Sequence, residues 1–198
     1  QLHLSFLKRA IKRKSAEQEM LDATNVVGDE ITRLANLVTE FLDFARPKPL
    51  QLKPVSLIKT LEHARSLAEA SATSSGVTLT VDLPGADVEL VADSAKLTQV
   101  LLNLLNNAIE AGGKSVCLRG RRGPRQVTID VEDDGPGIND AEAPIFDAFY
   151  STKEGGTGLG LAITHRIVTD HRGTIDVDSH PGKTSFHVTL PLAQAAGE

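Results

Sequence analysis

Gly155-Gly-Thr-Gly-Leu-Gly160-Leu-Ala-Ile163 is a run of closely spaced glycines that leads into an apolar helical pattern. The first N–H groups of a helix have no partner inside it, and glycines keep side chains out of the way, so such a turn suits an anion such as phosphate. No Lys-Ser/Thr pair ends the run, so it is not a Walker loop. It follows a long irregular stretch rather than a strand, so it is not a Rossmann fingerprint. A plain Gly-rich hinge is the competing reading, and the surrounding residues have to decide between them.

Just upstream, Phe146-Asp-Ala-Phe149-Tyr-Ser-Thr-Lys153 puts apolar anchors and then a lysine on a mobile connection. Surface lysines are normally inert, but one beside a phosphate turn can swing onto terminal phosphates. Further back, Val131-Glu-Asp133-Asp134-Gly135-Pro-Gly137 reads as a strand running into a turn whose glycines let a ligand approach the backbone. An ordinary Asx-turn gives the same pattern. In the functional reading, ionised Asp133 accepts a hydrogen bond from an exocyclic amine while Asp134 points elsewhere. Before that, Asn103 and Asn107 stand four apart on one helix face with Asn106 and Glu110, while Leu101, Leu102, Leu104, Leu105 and Ile109 form the buried stripe. Amide oxygens suit a hard cation held jointly with phosphates, although solvent-facing amides are the commoner case.

The elements around these motifs alternate between helix and strand. Ser56 caps a helix to about Ala72. Val77–Val81 is a strand that Pro84-Gly85 turns back as a hairpin onto Val88–Val91, and Asp93 caps a helix to about Ala111. Strands near 115–120 and 126–132 flank the Arg121–Pro124 turn, a helix runs from Gly158 to about Asp170, and strands near 174–179 and 184–190 close the chain. Antiparallel strands with three helices imply an α+β, two-layer sandwich with the helices on one face of a mixed sheet. This domain covers residues 54–192, with a tail at 193–198. Before it, Val27, Ile31, Leu34, Val38, Phe41 and Ala45 recur at steps of four and three, the a/d seam of a bundle helix running from about Ala16 to Arg46. Leu4, Leu7 and Ile11 repeat the spacing, so residues 1–46 read as a helical hairpin turning at Lys12–Ser15, with a linker at 47–53. Two helices make a poor core, and dimerisation into a four-helix bundle is the favoured completion.

Composition narrows the class. The 198 residues carry a formal net charge of −5, which disfavours a general nucleic-acid partner, and are 40% hydrophobic and 24% charged, as in soluble globular chains. The single cysteine, Cys117, lies in an apolar stretch and forms no internal disulfide, in keeping with a cytoplasmic location. No apolar run is long enough to span a membrane, so any membrane attachment of a longer protein lies outside these residues. The opening residues already show an amphipathic pattern with no cap, which reads as a piece of a longer chain.

An Asn pair on a helix, Asp-x-Gly-x-Gly, Phe anchors with a lysine, and Gly-x-Gly-x-Gly before a helix, in that order, resemble the catalytic ATP-binding domain of sensor histidine kinases. The match runs through the N box (Asn103–Asn107), G1 box (Asp133–Gly137), F box (Phe146–Phe149) and G2 box (Gly156–Gly160), and takes in Gly182–Phe186. The resemblance implies a Bergerat-type α/β sandwich with ATP under a lid spanning roughly 139–157. It also implies that Asn107 coordinates Mg²⁺ with Asn103 assisting, and that Asp133 reads the adenine amine in a pocket shaped by Gly135 and Gly137. Lys153 and the backbone of Gly156, Thr157, Gly158, Leu159 and Gly160 would contact phosphates. Asn103, Asn107 and Lys153 are then the catalytic set.

The stretch Asp29–Pro47 looks like the second helix of a kinase dimerisation and phosphoacceptor domain with the proline that follows it, which implies a homodimer and a response-regulator receiver domain as partner. Three positions depart from the pattern. The phosphoacceptor signature, a His followed by an acid and three residues later a Pro, is absent, since His3 precedes Leu4. Glu110 stands where some relatives carry a phosphate-binding lysine, and Tyr150 beside the lid has no assignable role. Topoisomerase and mismatch-repair ATPases of the wider superfamily carry a water-activating Glu at the position of Asn103, and an amide cannot be that base. The resemblance therefore implies phosphoryl transfer from ATP to a histidine outside this stretch. An anti-sigma-type serine kinase lacks the bundle hairpin, whereas a non-catalytic nucleotide-binding dimerisation module remains the alternative.

Overall fold

The computed structural model describes residues 16–45, 49–138, 143–153 and 156–192. The expected first helix through Ile11, the turn at 12–15, the tail from 193 and two stretches of the expected lid, 139–142 and 154–155, lie outside them. The chain divides into two compact units, Gln1–Pro47 and Lys48–Glu198.

In the first unit, helix α1 spans Ala16–Ala45 and ends just before the Arg46-Pro47 pair, where proline denies the helix an N–H donor and crowds the residue before it. The seam residues Ile31, Leu34, Val38 and Phe41 are all exposed.

In the second unit, β1 (Lys53–Ser56) leads directly into α2 (Leu57–Ser74). Ser56 caps α2, its Oγ accepting from the Lys59 N–H at 3.1 Å. Asp87 completes the cap from a distant loop: one carboxylate oxygen accepts from Ser56 Oγ at 2.6 Å and the other from the Ile58 N–H at 3.1 Å. These contacts hold the Asp87 carboxyl below the ordinary aspartate range, the Ser56 hydroxyl being the largest cause. Strand β2 is Thr78–Asp82 and β3 is Glu89–Ala92. Helix α3, Ser94–Glu110, is capped by Asp93, whose Oδ1 accepts from the N–H groups of Ala95 and Lys96. Then come β4 (Ser115–Arg122), β5 (Gln126–Asp133), α4 (Gly160–Asp170), β6 (Thr174–His180) and β7 (Lys183–Pro191).

The main sheet has the order β2-β4-β5-β7-β6, with β2 parallel to β4 and every other pair antiparallel. Two readings need correction. β2 and β3 are not a hairpin, because β3 pairs antiparallel with β1 in a separate two-stranded ribbon. The connection after β2 passes over the helix-side face of β4 at Gly120, where an added Cβ would meet Leu61 at 2.6 Å and Pro84 at 3.5 Å, so the chain leaves the sheet instead of folding back beside β2. The residues read as a linker end and helix start, Lys53–Ser56, are the strand that receives β3.

All three helices pack on one face, giving the two-layer α/β sandwich with a mixed sheet. Leu57 and Leu61 from α2, Leu97, Leu101, Leu104 and Leu105 from α3, and Ile167 and Val168 from α4 close over Val116, Leu118, Ile129, Val131 and Val188. Each buried leucine contributes roughly 1.5–3 kcal/mol. That sum fixes the rotation of α3 and so forces Asn103 and Asn107 to its opposite edge; Leu102, read as part of the buried stripe, is only half-buried. The other sheet face is polar and paired across strands, as in Asp82–Arg119 at 2.8 Å, Glu132–Lys183 at 2.9 Å and Arg121 on the buried Asp130.

Candidate functional site

The site is built where α3, the end of β5 and the start of α4 meet. Asp133 is the last residue of β5 and belongs to its core-facing set with Val127, Ile129 and Val131, so the strand carries a carboxylate into the buried layer, where it is 4% exposed. Its Oδ1 accepts from the Gly135 N–H at 2.9 Å. Burial is the main reason its carboxyl lies above the ordinary aspartate range; Asp134 and Glu132 push the same way, while the Gly135 N–H and Lys153 oppose them. Thr184, also buried, lies directly opposite on β7 and bonds Ser179 at 3.0 Å.

Asp134 does turn away. Its Oδ1 accepts from the N–H groups of Lys114 and Ser115 at 2.6 and 2.9 Å, pinning the turn after α3, and the Ser115 N–H is the largest cause holding its carboxyl low. The glycine turn is then clamped by the β6–β7 hairpin. The Gly182 N–H donates to the Gly135 carbonyl at 3.0 Å and the Ile138 N–H to Ser179 Oγ at 2.8 Å. Gly137 has φ of 84° and lies so close to the strand end that a Cβ there would come within 2.6 Å of the His180 carbonyl oxygen, so both conformation and space demand glycine.

The second glycine run forms the opposite wall. Gly158 has φ of 66°, which bars a helical start there and delays α4 to Gly160, two residues later than the pattern suggests. Its carbonyl accepts from the Phe149 N–H at 2.9 Å, drawing the F-box segment onto the turn. Thr157 Oγ1 accepts from the Leu159 N–H at 3.1 Å, and the buried Leu159 anchors the turn in the core. No side chain caps α4, and the first-turn N–H groups at Gly160, Leu161 and Ala162 have no acceptor within the helix. Of the two aromatic anchors, Phe146 stacks on His165 of α4 with centroids 5.5 Å apart, whereas Phe149 is 64% exposed.

Two contacts join α3 to these walls. Asn103 donates its amide N–H groups to the Gly160 carbonyl at 3.1 Å and to the fully buried Thr164 hydroxyl at 3.3 Å. Its nitrogen is thus spent on aligning α4. One turn on, Lys153 reaches over from the lid segment, its ammonium donating to Asn107 Oδ1 at 3.1 Å and Glu110 Oε2 at 2.6 Å. Behind the site, buried His171 ends α4 with Nδ1 on the Ile167 carbonyl at 2.8 Å and Nε2 accepting from the Asp93 N–H at 2.9 Å, which fixes the neutral Nδ1–H tautomer and ties α4 to the cap of α3. Asn103, Asn107, Lys153 and Gly160 are therefore one cluster, and Asp133, Gly135 and Gly137 another. Thr164 and His171 carry no motif of their own, and only the helical step of four from Gly160 hinted at Thr164; Thr184 lies in the Gly182–Phe186 stretch of the resemblance, which gave it no individual role.

The residues fit a nucleotide at both ends: a buried carboxylate suited to a base amine, and a helix start plus an ammonium suited to phosphates. The family model of histidine kinase-, DNA gyrase B-, and HSP90-like ATPases matches residues 92–194. The sensory histidine kinase/phosphatase NtrB of Rhodobacter capsulatus is 37% identical over 193 residues, covering 88% of this chain and 54% of that protein. The sensor histidine kinase ZraS of Escherichia coli is 38% identical over 185 residues, covering 91% of this chain and 40% of that protein. Full-length ShkA, solved with AMPPNP, superposes with a TM-score of 0.78 at 29% identity, covering 99% of this chain and 43% of ShkA. The chain thus spans about half or less of the length of these relatives. By this match and by the architecture around Asp133 and Gly160, the chain belongs to the histidine kinase-, DNA gyrase B- and HSP90-like ATPase family, with a catalytic ATP-binding domain of the sensor histidine kinase kind.

Proposed function

We propose that this chain is the ATP-binding catalytic portion of a sensor histidine kinase, transferring the γ-phosphoryl group of ATP to a protein histidine that passes it to an aspartate of a response-regulator receiver domain. The observation that carries the reading is the placement of Asn103. The α3 side chain that meets the start of α4 is an amide, 3.1 Å from the Gly160 carbonyl, and an amide cannot take a proton from water. The site then acts by alignment and charge rather than by activating water for hydrolysis.

In this reading Asp133 accepts from the adenine amine, and Gly135 and Gly137 let the ring approach the backbone. The turn Gly156–Gly160 and the first N–H groups of α4 hold phosphates, with Thr157 and Leu159 keeping the turn's shape. Lys153 leaves Asn107 and Glu110 to contact the transferring phosphoryl group. Asn107, with Asn103 beside it, would hold Mg²⁺, which when bound screens phosphate charge. We place the homodimer contact in residues 1–46, a linker at 47–53, the catalytic domain at 54–192 and a tail at 193–198, and the protein's work in the cytoplasm, any membrane attachment belonging to other segments. Among the described residues no helix is long and apolar enough to cross a membrane.

None of the six histidines is followed by an acid, so the acceptor is supplied by another segment or chain. Incubation with γ-radiolabelled ATP and Mg²⁺ should leave this chain unlabelled and should label an added helical fragment bearing the His-acid phosphoacceptor signature. Labelling of this chain itself, or steady release of phosphate with the fragment unlabelled, would contradict the proposal.

A further inference from the structure

Glu110 is a charged group at the site to which the motif order assigns no role, and it lies at the point where a cation already sits. Asn107 and Glu110 are one turn apart on α3, and their oxygens converge on a single ammonium, Lys153 Nζ, at 3.1 and 2.6 Å. Glu110 is also the last residue of α3, where the negative end of the helix dipole favours positive charge. Asn103 is oriented differently, its amide nitrogen held by Gly160 and Thr164.

We infer that Asn107 and Glu110 form the divalent-cation subsite of the nucleotide site, and that the Lys153 ammonium fills this subsite when no metal nucleotide is bound. The inference rests on the nucleotide reading above, since Mg²⁺ is held by one or two protein oxygens, often a carboxylate, together with phosphate oxygens and water. An ammonium and a dication cannot share two oxygens, so loading the metal expels Lys153 from the helix. The nearest anions open to it are then the phosphates, so cation entry and closure of the lysine onto nucleotide become one event. The parked state is easily displaced, because Lys153 and Glu110 side chains are 42% and 58% exposed and such pairs hold weakly.

AMPPNP binding to the whole 198-residue chain, measured calorimetrically with Mg²⁺ and with excess chelator, tests this. The readout is the gain in affinity that Mg²⁺ confers, with melting by circular dichroism as the folding control. Glu110→Gln should cut the gain by at least about tenfold, the loss that even an outer partner of a metal ligand produces. It should leave metal-free binding unchanged or tighter. Lys153→Met, which keeps both oxygens and removes only the lysine–phosphate contact, should lose clearly less of the gain than Glu110→Gln. An undiminished gain in Glu110→Gln overturns the subsite, as do equal losses in both variants, which would mean that Glu110 acts only through the lysine. If the unsubstituted chain binds no AMPPNP in either condition, the nucleotide reading itself falls and takes the subsite with it.

Discussion

Asp133 sits in the core layer at the end of β5 with a carboxyl that burial holds above its ordinary range. For a raised group, the stabilising contribution is present below the ordinary aspartate range and is lost as pH rises through the folded value, so at neutral pH Asp133 adds no such stability. Asp133→Asn keeps an oxygen for the Gly135 N–H and removes only the charge. It should leave thermal stability at pH 7 unchanged or slightly higher while weakening ATP-analogue binding by about 1–3 kcal/mol, the value of a charged hydrogen bond. Paired melting and calorimetry check this; unaltered affinity would remove Asp133 from the adenine contact. Residue types at this scale are plain from sequence, where Asp133 reads as the acid toward a ligand and Asp134 as the one pointing elsewhere. The partners of Asp134, the N–H groups of Lys114 and Ser115, are not, since they lie about twenty residues back along the chain.

Helices α2, α3 and α4 were readable as elements because apolar residues recur with helical period and Ser56 and Asp93 stand where N-caps belong. Strand β1 was not. It is four residues long, contains Pro54 and is exposed at Lys53 and Pro54, so it shows neither alternation nor β-branched enrichment and gains its identity only from β3. The coupling between helices is likewise invisible in sequence. His171 reaches the Asp93 N–H from 78 residues away and carries no motif. His171→Leu should leave that N–H without its acceptor and lower unfolding free energy by about 1–3 kcal/mol in urea titrations. A change below a few tenths would show that water or Asp93 rearrangement replaces the imidazole.

At the scale of the whole molecule, most of the exposed large apolar side chains among the described residues lie on α1. Ile31, Leu34, Val38 and Phe41 keep a/d spacing and each is at least half exposed in a single chain. A seam of that kind closes against other helices, and we assign it to a second copy. Sedimentation equilibrium should give a dimer, and Ile31→Glu with Val38→Glu should shift it to monomer while leaving AMPPNP binding by the second unit within about twofold, because the substitutions fall in a separate compact unit of the chain. A monomeric unsubstituted chain would reassign the seam to other segments.

The amino-acid sequence by itself determined the chemistry and the layers. It placed an amide rather than a carboxylate at position 103, an acid before two glycines, a glycine run opening a helix, and leucines on one side of α3, all of which depend on residue identity and short-range period. Tertiary structure alone decided the parallel pairing of β2 with β4, the ribbon of β1 with β3, and the landing of Lys153 on Asn107 and Glu110, 46 and 43 residues away. These are long-range pairings whose loop-closure cost is offset only when the whole core assembles, and no local pattern encodes them. The glycine run at 155–163 and the lysine before it read as a phosphate turn and its cation from local sequence alone, whereas the resting place of that lysine on Asn107 and Glu110 was visible only in the fold.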